Sequence, residues 1–139
     1  MALHVFVVEN HDDTREVVAA MLEELGHRVS VANAVTVAMR EVPASNCDVL
    51  ISDIDLPDGN GWELLRTLSE SRAIFAIAMS GFGTASDRAC SKAAGFRHHL
   101  VKPIGLQQLE TVLAEAANEL HGSTEREAVV LRHGLAPTG

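Results

Sequence analysis

The chain has 139 residues, 47% of them hydrophobic, enough for one domain with its own core. Acids outnumber bases 19 to 11, a formal net charge of -8, which disfavours a face for nucleic acid or for an anionic membrane surface. No apolar run approaches the roughly 20 residues of a membrane span, and the N-terminus lacks the charged and apolar regions of a signal peptide. Cys47 and Cys90 are the two cysteines; they are far apart and fit no C-x-x-C spacing, so they read as reduced, buried thiols. A cytoplasmic protein is expected.

In chain order, Leu3 to Val8 is apolar nearly throughout, as a buried parallel strand is, and it ends on Glu9-Asn10. Asp12, Asp13 and Thr14 start a helix whose apolar positions are Val17, Val18, Met21, Leu22 and Leu25, with Gly26 as its stop. Arg28 to Ala32 is a second strand. A helix follows from about Ala34 to Glu41, with Pro43 helping to end it. Val49 to Ile51 opens a third strand, which stops on the acid Asp53; Pro57, Gly59, Asn60 and Gly61 then force a turn.

The next helix uses Trp62, Leu64, Leu65 and Leu68. Ile74 to Met79 is a fourth strand, closed by Ser80-Gly81-Phe82-Gly83-Thr84. A small-residue helix spans about Ala85 to Ala94 and ends at Gly95. Phe96 to Val101 is the fifth strand, closed by Lys102-Pro103, and a last amphipathic helix uses Ile104, Leu106, Leu109, Val112, Leu113 and Leu120. Strand and helix thus alternate five times, which predicts a parallel sheet with helices on both faces. Glu9-Asn10, Asp53, Ser80 and Lys102 each close a strand and should meet at one sheet edge, where open α/β sheets bind ligands. The expected domain is 1–120. The tail, 121–139, is either a frayed end or a short helix with a capping box at Thr124-Glu127 and a sticky side of Val129, Val130 and Leu131.

These motifs, in order and each at a strand end, resemble those of the response regulator receiver domain, the phospho-accepting module of two-component phosphorelays. The resemblance covers about Leu3 to Leu120 and rests on Val7-Val8-Glu9-Asn10, Asp53-Ile54-Asp55-Leu56-Pro57 with Gly61, Met79-Ser80-Gly81, and Lys102-Pro103. It implies a doubly wound, flavodoxin-like fold with strand order 2-1-3-4-5 and five helices. It implies that Asp53 accepts a phosphoryl group from a sensor histidine kinase or a histidine phosphotransfer protein. Glu9, Asn10, Asp53 and the backbone carbonyl of Asp55 would hold Mg²⁺ or Mn²⁺. Ser80 would bond a phosphoryl oxygen, and Lys102 would pair with the phosphoryl group, with a cis bond to Pro103. The chemistry agrees: a carboxylate attacks an anionic phosphoryl group only where cations screen the charge.

The resemblance further implies a phosphoprotein that is not an enzyme in the usual sense, apart from autophosphorylation by acyl phosphates and autodephosphorylation. Its fourth-helix, fifth-strand and fifth-helix face would change on phosphorylation and meet an unknown downstream protein, without nucleic acid or membrane. A homodimer through that face is among the arrangements it implies. The run His98-Pro103 is similar to receivers attached to hybrid sensor kinases, whereas Met1 points to a natural beginning.

Several residues depart from the pattern. Asn10 stands where the family usually has a carboxylate; an amide oxygen ligates Mg²⁺ without adding charge, so weaker metal binding is expected. The extreme alternative is a pseudo-receiver that binds partners without phosphate. Asp55 either restores the charge, steers the hydrolytic water, or is a solvated loop acid. Phe82 is expected to cover the mouth of the site. His99 takes the place of a switching Tyr or Phe and would add pH dependence, or is a half-exposed strand histidine. His11 either touches the metal site or is a loop histidine. No role is assigned to His4, His27, His98, His121 or His133, and Trp62 is expected to pack under the third helix. Asp53-Ile54-Asp55 also has the D-x-D form of haloacid dehalogenase-like phosphatases, but those carry it on the first strand and need a later acidic pair that no strand end supplies here.

Overall fold

A computed structural model describes residues 2–133, with side chains for 2–121. The strands of the main sheet are β1 (His4–Val8), β2 (Arg28–Ala32), β3 (Val49–Asp53), β6 (Phe75–Ser80) and β7 (His98–Val101); β4 (Asp55–Leu56) and β5 (Gly59–Asn60) form a separate antiparallel ladder. The helices are α1 (Asp12–Glu24), α2 (Val35–Ser45), α3 (Gly61–Ser69), α4 (Ala85–Ala94) and α5 (Leu106–His133). The main sheet is parallel throughout, in the order β2-β1-β3-β6-β7, which is the expected flavodoxin-like order once the small ladder is set aside.

Strand alternation divides the core into two layers. Val5, Val7, Val49, Ile51, Ile77 and Met79 face α1 and α5, where they meet Leu22, Leu109 and Leu113. The intervening residues Phe6, Val8, Leu50, Ala76 and Ala78 face the opposite way and pack on Val42 of α2, Leu64 and Leu65 of α3, and Ala94 of α4. All the strand residues named here are at most 1% exposed, so the sheet is covered on both sides.

The helices begin and end by local chemistry. Asn60 caps α3 by accepting from the Glu63 N–H, and Thr84 caps α4 by accepting from the Asp87 N–H. Gly95 closes α4 at φ +111°, a conformation that costs glycine little. The helix α2 has no cap of its own, since Ala34 precedes it; the Asp58 carboxylate accepts from the N–H groups of Val35 and Thr36 at 2.7 and 2.9 Å instead. Those bonds hold the Asp58 carboxyl below its ordinary range. They also tie the turn after Asp53 to the start of α2.

Three sequence expectations are corrected. Pro43 lies inside α2, which runs on to Ser45 and ends at Asn46 with φ 58°. Pro43 in the last turn forgoes one helical hydrogen bond without breaking the helix, and the left-handed Asn46 does the ending. Val17 is 57% exposed, because Val18 and Leu22 form the buried stripe of α1 and Val17 flanks it, opposite Pro103 and Ile104. Ile104 precedes α5 rather than belonging to it. The helix α5 continues to His133; the expected capping box and sticky side of the tail concern side chains outside the described ones, and 134–139 lie outside the described residues altogether. Among the described residues, no helix is long and apolar enough to cross a membrane.

Candidate functional site

The carboxyl ends of β1, β3, β6 and β7 lie side by side, so the chain delivers one polar residue from each to a common edge. Asp53 is the last residue of β3 and pairs with Met79; Ser80 is the last of β6 and pairs with Val101. The Lys102 N–H bonds the Ser80 carbonyl at 2.8 Å, which continues the sheet by one step and aims the lysine back across it. The Lys102–Pro103 bond is cis.

At this edge Lys102 Nζ donates to Asp53 Oδ2 at 2.9 Å and to Glu9 Oε1. Glu9 and Asp53 are 0% and 4% exposed, so an ion triad is held inside the protein with one cation between two acids. Burial, with the bond to Glu9, pushes the Asp53 carboxyl up to about 6, and Lys102 pulls against that rise. Burial also opposes the charge of Glu9, but its bonds to Asp53 and Lys102 outweigh that and hold it below its ordinary range. For Lys102 burial works against the ammonium, while the two acids more than offset it and hold its pKa above the ordinary value.

The donor set fits a hard divalent cation. Carboxylate oxygens of Glu9 and Asp53 and a ring nitrogen of His11 lie within 4.8 Å of one another. The Asn10 Oδ1 is buried and has no hydrogen-bond partner among the described residues, an oxygen suited to a ligand. His11, most of whose side chain is exposed, stands 3.6 Å from Glu9 through Nδ1. Asp55 is exposed at the start of the small ladder, paired with Asn60.

Glycine is required at one point of this edge. A Cβ on Gly61 would meet the Asp53 carbonyl oxygen at 2.5 Å and Ser52 Oγ at 3.2 Å. The Gly61 N–H also bonds the Ile54 carbonyl, at 2.8 Å, so α3 starts pressed against the end of β3.

Ser80 is turned away from the triad. Its hydroxyl donates to the Phe82 carbonyl, and its Oγ lies 2.7 Å from His99 Nε2. The Phe82 side chain is 74% exposed, so Phe82 meets Ser80 through its backbone. His99 Nδ1 lies 2.8 Å from Ser91 Oγ, which accepts from the Trp62 indole at 2.9 Å. Trp62 therefore ties α3 to α4 as well as packing beneath its own helix. Ser91 and Asp58 were not singled out from the sequence. Nothing marks Ser91 among the small residues of α4, whereas Asp58 could have been found as the acid that an uncapped α2 needs. His4 and His27 have structural bonds, to Ser30 Oγ at 2.7 Å and from the Leu3 N–H at 3.0 Å, and His98 meets Glu115.

Two buried acids, a hydroxyl and a lysine joined by a cis bond to the proline that follows it share the carboxyl edge of a flavodoxin-like sheet, as in a receiver. The chain belongs to the response regulator receiver domain family, whose model matches residues 5–114. It is 30% identical over 127 residues to the KDP operon transcriptional regulatory protein KdpE of Escherichia coli, covering 91% of this chain and 56% of that protein. It is 32% identical over 109 residues to an uncharacterized 14.6 kDa protein of Leptolyngbya boryana, covering 73% of this chain and 80% of that one. A 28% identity over 120 residues to the E. coli sensor protein EvgS covers 86% of this chain but 10% of that protein. Among solved structures, a CheY-like receiver domain protein of Methanospirillum hungatei shares the fold with a TM-score of 0.82 at 21% identity, over 88% of this chain and 99% of that one.

Proposed function

We propose that this protein is a working receiver that takes a phosphoryl group on Asp53 from a sensor histidine kinase or histidine phosphotransfer protein. The observation that carries this reading is the buried triad, in which Lys102 Nζ lies 2.9 Å from Asp53 Oδ2 and also binds Glu9. Similarity both to a transcriptional regulator and to part of a sensor protein is what a phosphorelay module would have.

In the proposed reaction an Asp53 carboxylate oxygen forms a bond to phosphorus as the donor's P–N bond, or the P–O bond of an acyl phosphate, breaks. The electron pair leaves with the donor. Lys102 would screen the charge between Asp53 and the incoming phosphoryl oxygens, and Ser80 would turn its hydroxyl from the Phe82 carbonyl to donate to one of them. Glu9, Asn10, Asp53 and the Asp55 carbonyl would hold Mg²⁺ or Mn²⁺, which supplies further positive charge to those oxygens. The response would pass to a downstream protein through the face of α4, β7 and α5. Arg88 and Lys92 line a cleft on that face, where Arg97 is already paired with Glu119 at 2.8 Å; these two basic residues of α4 would suit an acidic group of a partner.

Asn10 favours a second reading, a pseudo-receiver that binds partners without phosphate, because it removes a carboxylate from the metal site. Intact mass after incubation with a small acyl phosphate, with and without Mg²⁺, separates the two. One phosphoryl adduct that needs both Mg²⁺ and Asp53, absent from Asp53→Ala, supports the working receiver. No adduct at any Mg²⁺ concentration supports the pseudo-receiver.

A further inference from the structure

The bonds around His99 have a defined direction. An indole N–H can only donate and a carbonyl can only accept, so both ends of the chain from Trp62 to Phe82 are fixed. Trp62 Nε1–H donates to Ser91 Oγ. The one proton of Ser91 is then free to go to His99 Nδ1, 2.8 Å away, leaving His99 to carry its own proton on Nε2 and donate to Ser80 Oγ at 2.7 Å. Ser80 passes its single proton to the Phe82 carbonyl. Four donors, Trp62, Ser91, His99 and Ser80, thus point in one sense, from the start of α3, through α4 and β7, to the end of β6, and the chain ends on the Phe82 carbonyl. The chain requires a neutral imidazole with its hydrogen on Nε2.

Two features give the chain mechanical meaning. Ser91 is 1% exposed, so it has no solvent to exchange its partners with. Trp62 follows Gly61, whose backbone is pressed against the Asp53 carbonyl. The two ends of the chain therefore lie beside the two strand ends, β3 and β6, that carry Asp53 and Ser80.

We infer that His99 is a positioning residue that holds the Ser80 hydroxyl on the Phe82 carbonyl, and that the release of Ser80 is transmitted through Ser91 to the Trp62 indole at the seam of α3 and α4. This rests on the phospho-acceptor reading for what releases Ser80, but the chain itself does not. A Ser80 hydroxyl that donates to a phosphoryl oxygen must give up the Phe82 carbonyl and shift its Oγ. His99 then loses its acceptor, and the donors behind it rearrange. The seam of α3 and α4 becomes a surface that differs between the two states, in addition to the face of α4, β7 and α5.

Trp62 is the one tryptophan, so its indole gives a single assigned signal in a proton–nitrogen correlation spectrum of the full chain. Ser80→Ala does not touch Trp62, yet the indole signal is expected to move upfield in this variant, as it is in His99→Phe. In His99→Gln, which keeps a donor and an acceptor, it stays near the wild-type position. An indole signal unmoved in both Ser80→Ala and His99→Phe, with the rest of the spectrum intact, overturns the relay whether or not Asp53 is ever phosphorylated. Acyl phosphate is then added, and the adduct is verified by mass. The indole signal is expected to shift with the adduct in wild type and not in His99→Phe. An adduct without an indole shift in wild type also overturns the inference. Absence of an adduct counts against the phospho-acceptor reading alone, and the unphosphorylated variants still decide the relay.

Discussion

Lys102 and Asp53, separated by 49 positions in the chain, meet at 2.9 Å between Nζ and Oδ2. The same ammonium binds Glu9, so removing it leaves two buried acids facing each other without a cation. Breaking one partner out of a buried ion cluster costs more than the cluster contributes as a whole. Lys102→Met should lower stability by about 2 kcal/mol, discounted because the lysine side chain is 21% exposed. Urea unfolding at neutral pH checks this. The same variant should load phosphate on the order of a hundredfold more slowly. Wild-type loading in Lys102→Met would remove the lysine from the reaction.

Asn10 gives the metal site an oxygen without a charge. Asn10→Asp should tighten Mg²⁺ binding by about tenfold at low ionic strength, and should lower the Mg²⁺ concentration that half-saturates phosphorylation. Isothermal titration with Mg²⁺ reads the first effect directly. No gain in affinity would mean that Asn10 is not a ligand.

Gly61 is a steric requirement of the site. In Gly61→Ala the new Cβ would collide with the Asp53 carbonyl, a backbone atom that has no room to yield. A loss of about 1–3 kcal/mol is expected. Gly81→Ala is the control: nothing lies within 4 Å of a Cβ there, and its stability should stay near wild type. Equal unfolding midpoints for the two variants would contradict the close packing of α3 on β3.

His99 should make stability depend on pH. Burial is the largest influence and lowers its pKa from 6.5; the Phe82 backbone opposes it, Arg88 adds to the lowering, and Asp87 opposes weakly. A histidine whose folded pKa is depressed stays neutral in the fold while the unfolded chain takes up a proton. Stability is then lost as pH falls below about 6.5, and the loss stops growing once the folded group also titrates. Arg88 and Asp87 of α4 are the charged groups acting on the ring, and the basic residues Lys92, Arg97 and His98 line the same cleft. His27, also depressed by burial and by the N-terminal charge, contributes in the same direction. Unfolding midpoints of wild type should therefore fall between pH 7.5 and 5.5 by more than those of His99→Phe. An equal fall in both would assign the effect to His27 and other groups.

The sequence disclosed most of what can be read from local order. Glu9, Asp53, Ser80 and Lys102 each interrupt an apolar run at a predicted strand end, and a parallel topology leaves those ends no other place than one edge. The two core layers follow from strict alternation in β1, β3 and β6. What the sequence did not disclose depends on relations between elements. The rotation of α1 that exposes Val17 is set by how the helix lies on the sheet, and periodicity admits either neighbour into the stripe. The continuation of α2 past Pro43 depends on Asn46 accepting a left-handed conformation. The bond between Trp62 and Ser91 joins two helices 29 positions apart through a serine that looks like any other small helical residue. The direction of Ser80, toward His99 and Phe82, likewise follows from contacts and not from the motif.

The most direct test of the central claim locates the phosphoryl group. Protein treated with a small acyl phosphate and Mg²⁺ is reduced with borohydride, which converts an aspartyl phosphate into homoserine and releases inorganic phosphate, and the peptides are sequenced by mass. Homoserine at position 53, and nowhere else, is the expected result. Homoserine at Asp12, Asp13 or Asp55 with Asp53 unchanged, or at no position while a control receiver is converted, would contradict the assignment of Asp53 as the acceptor.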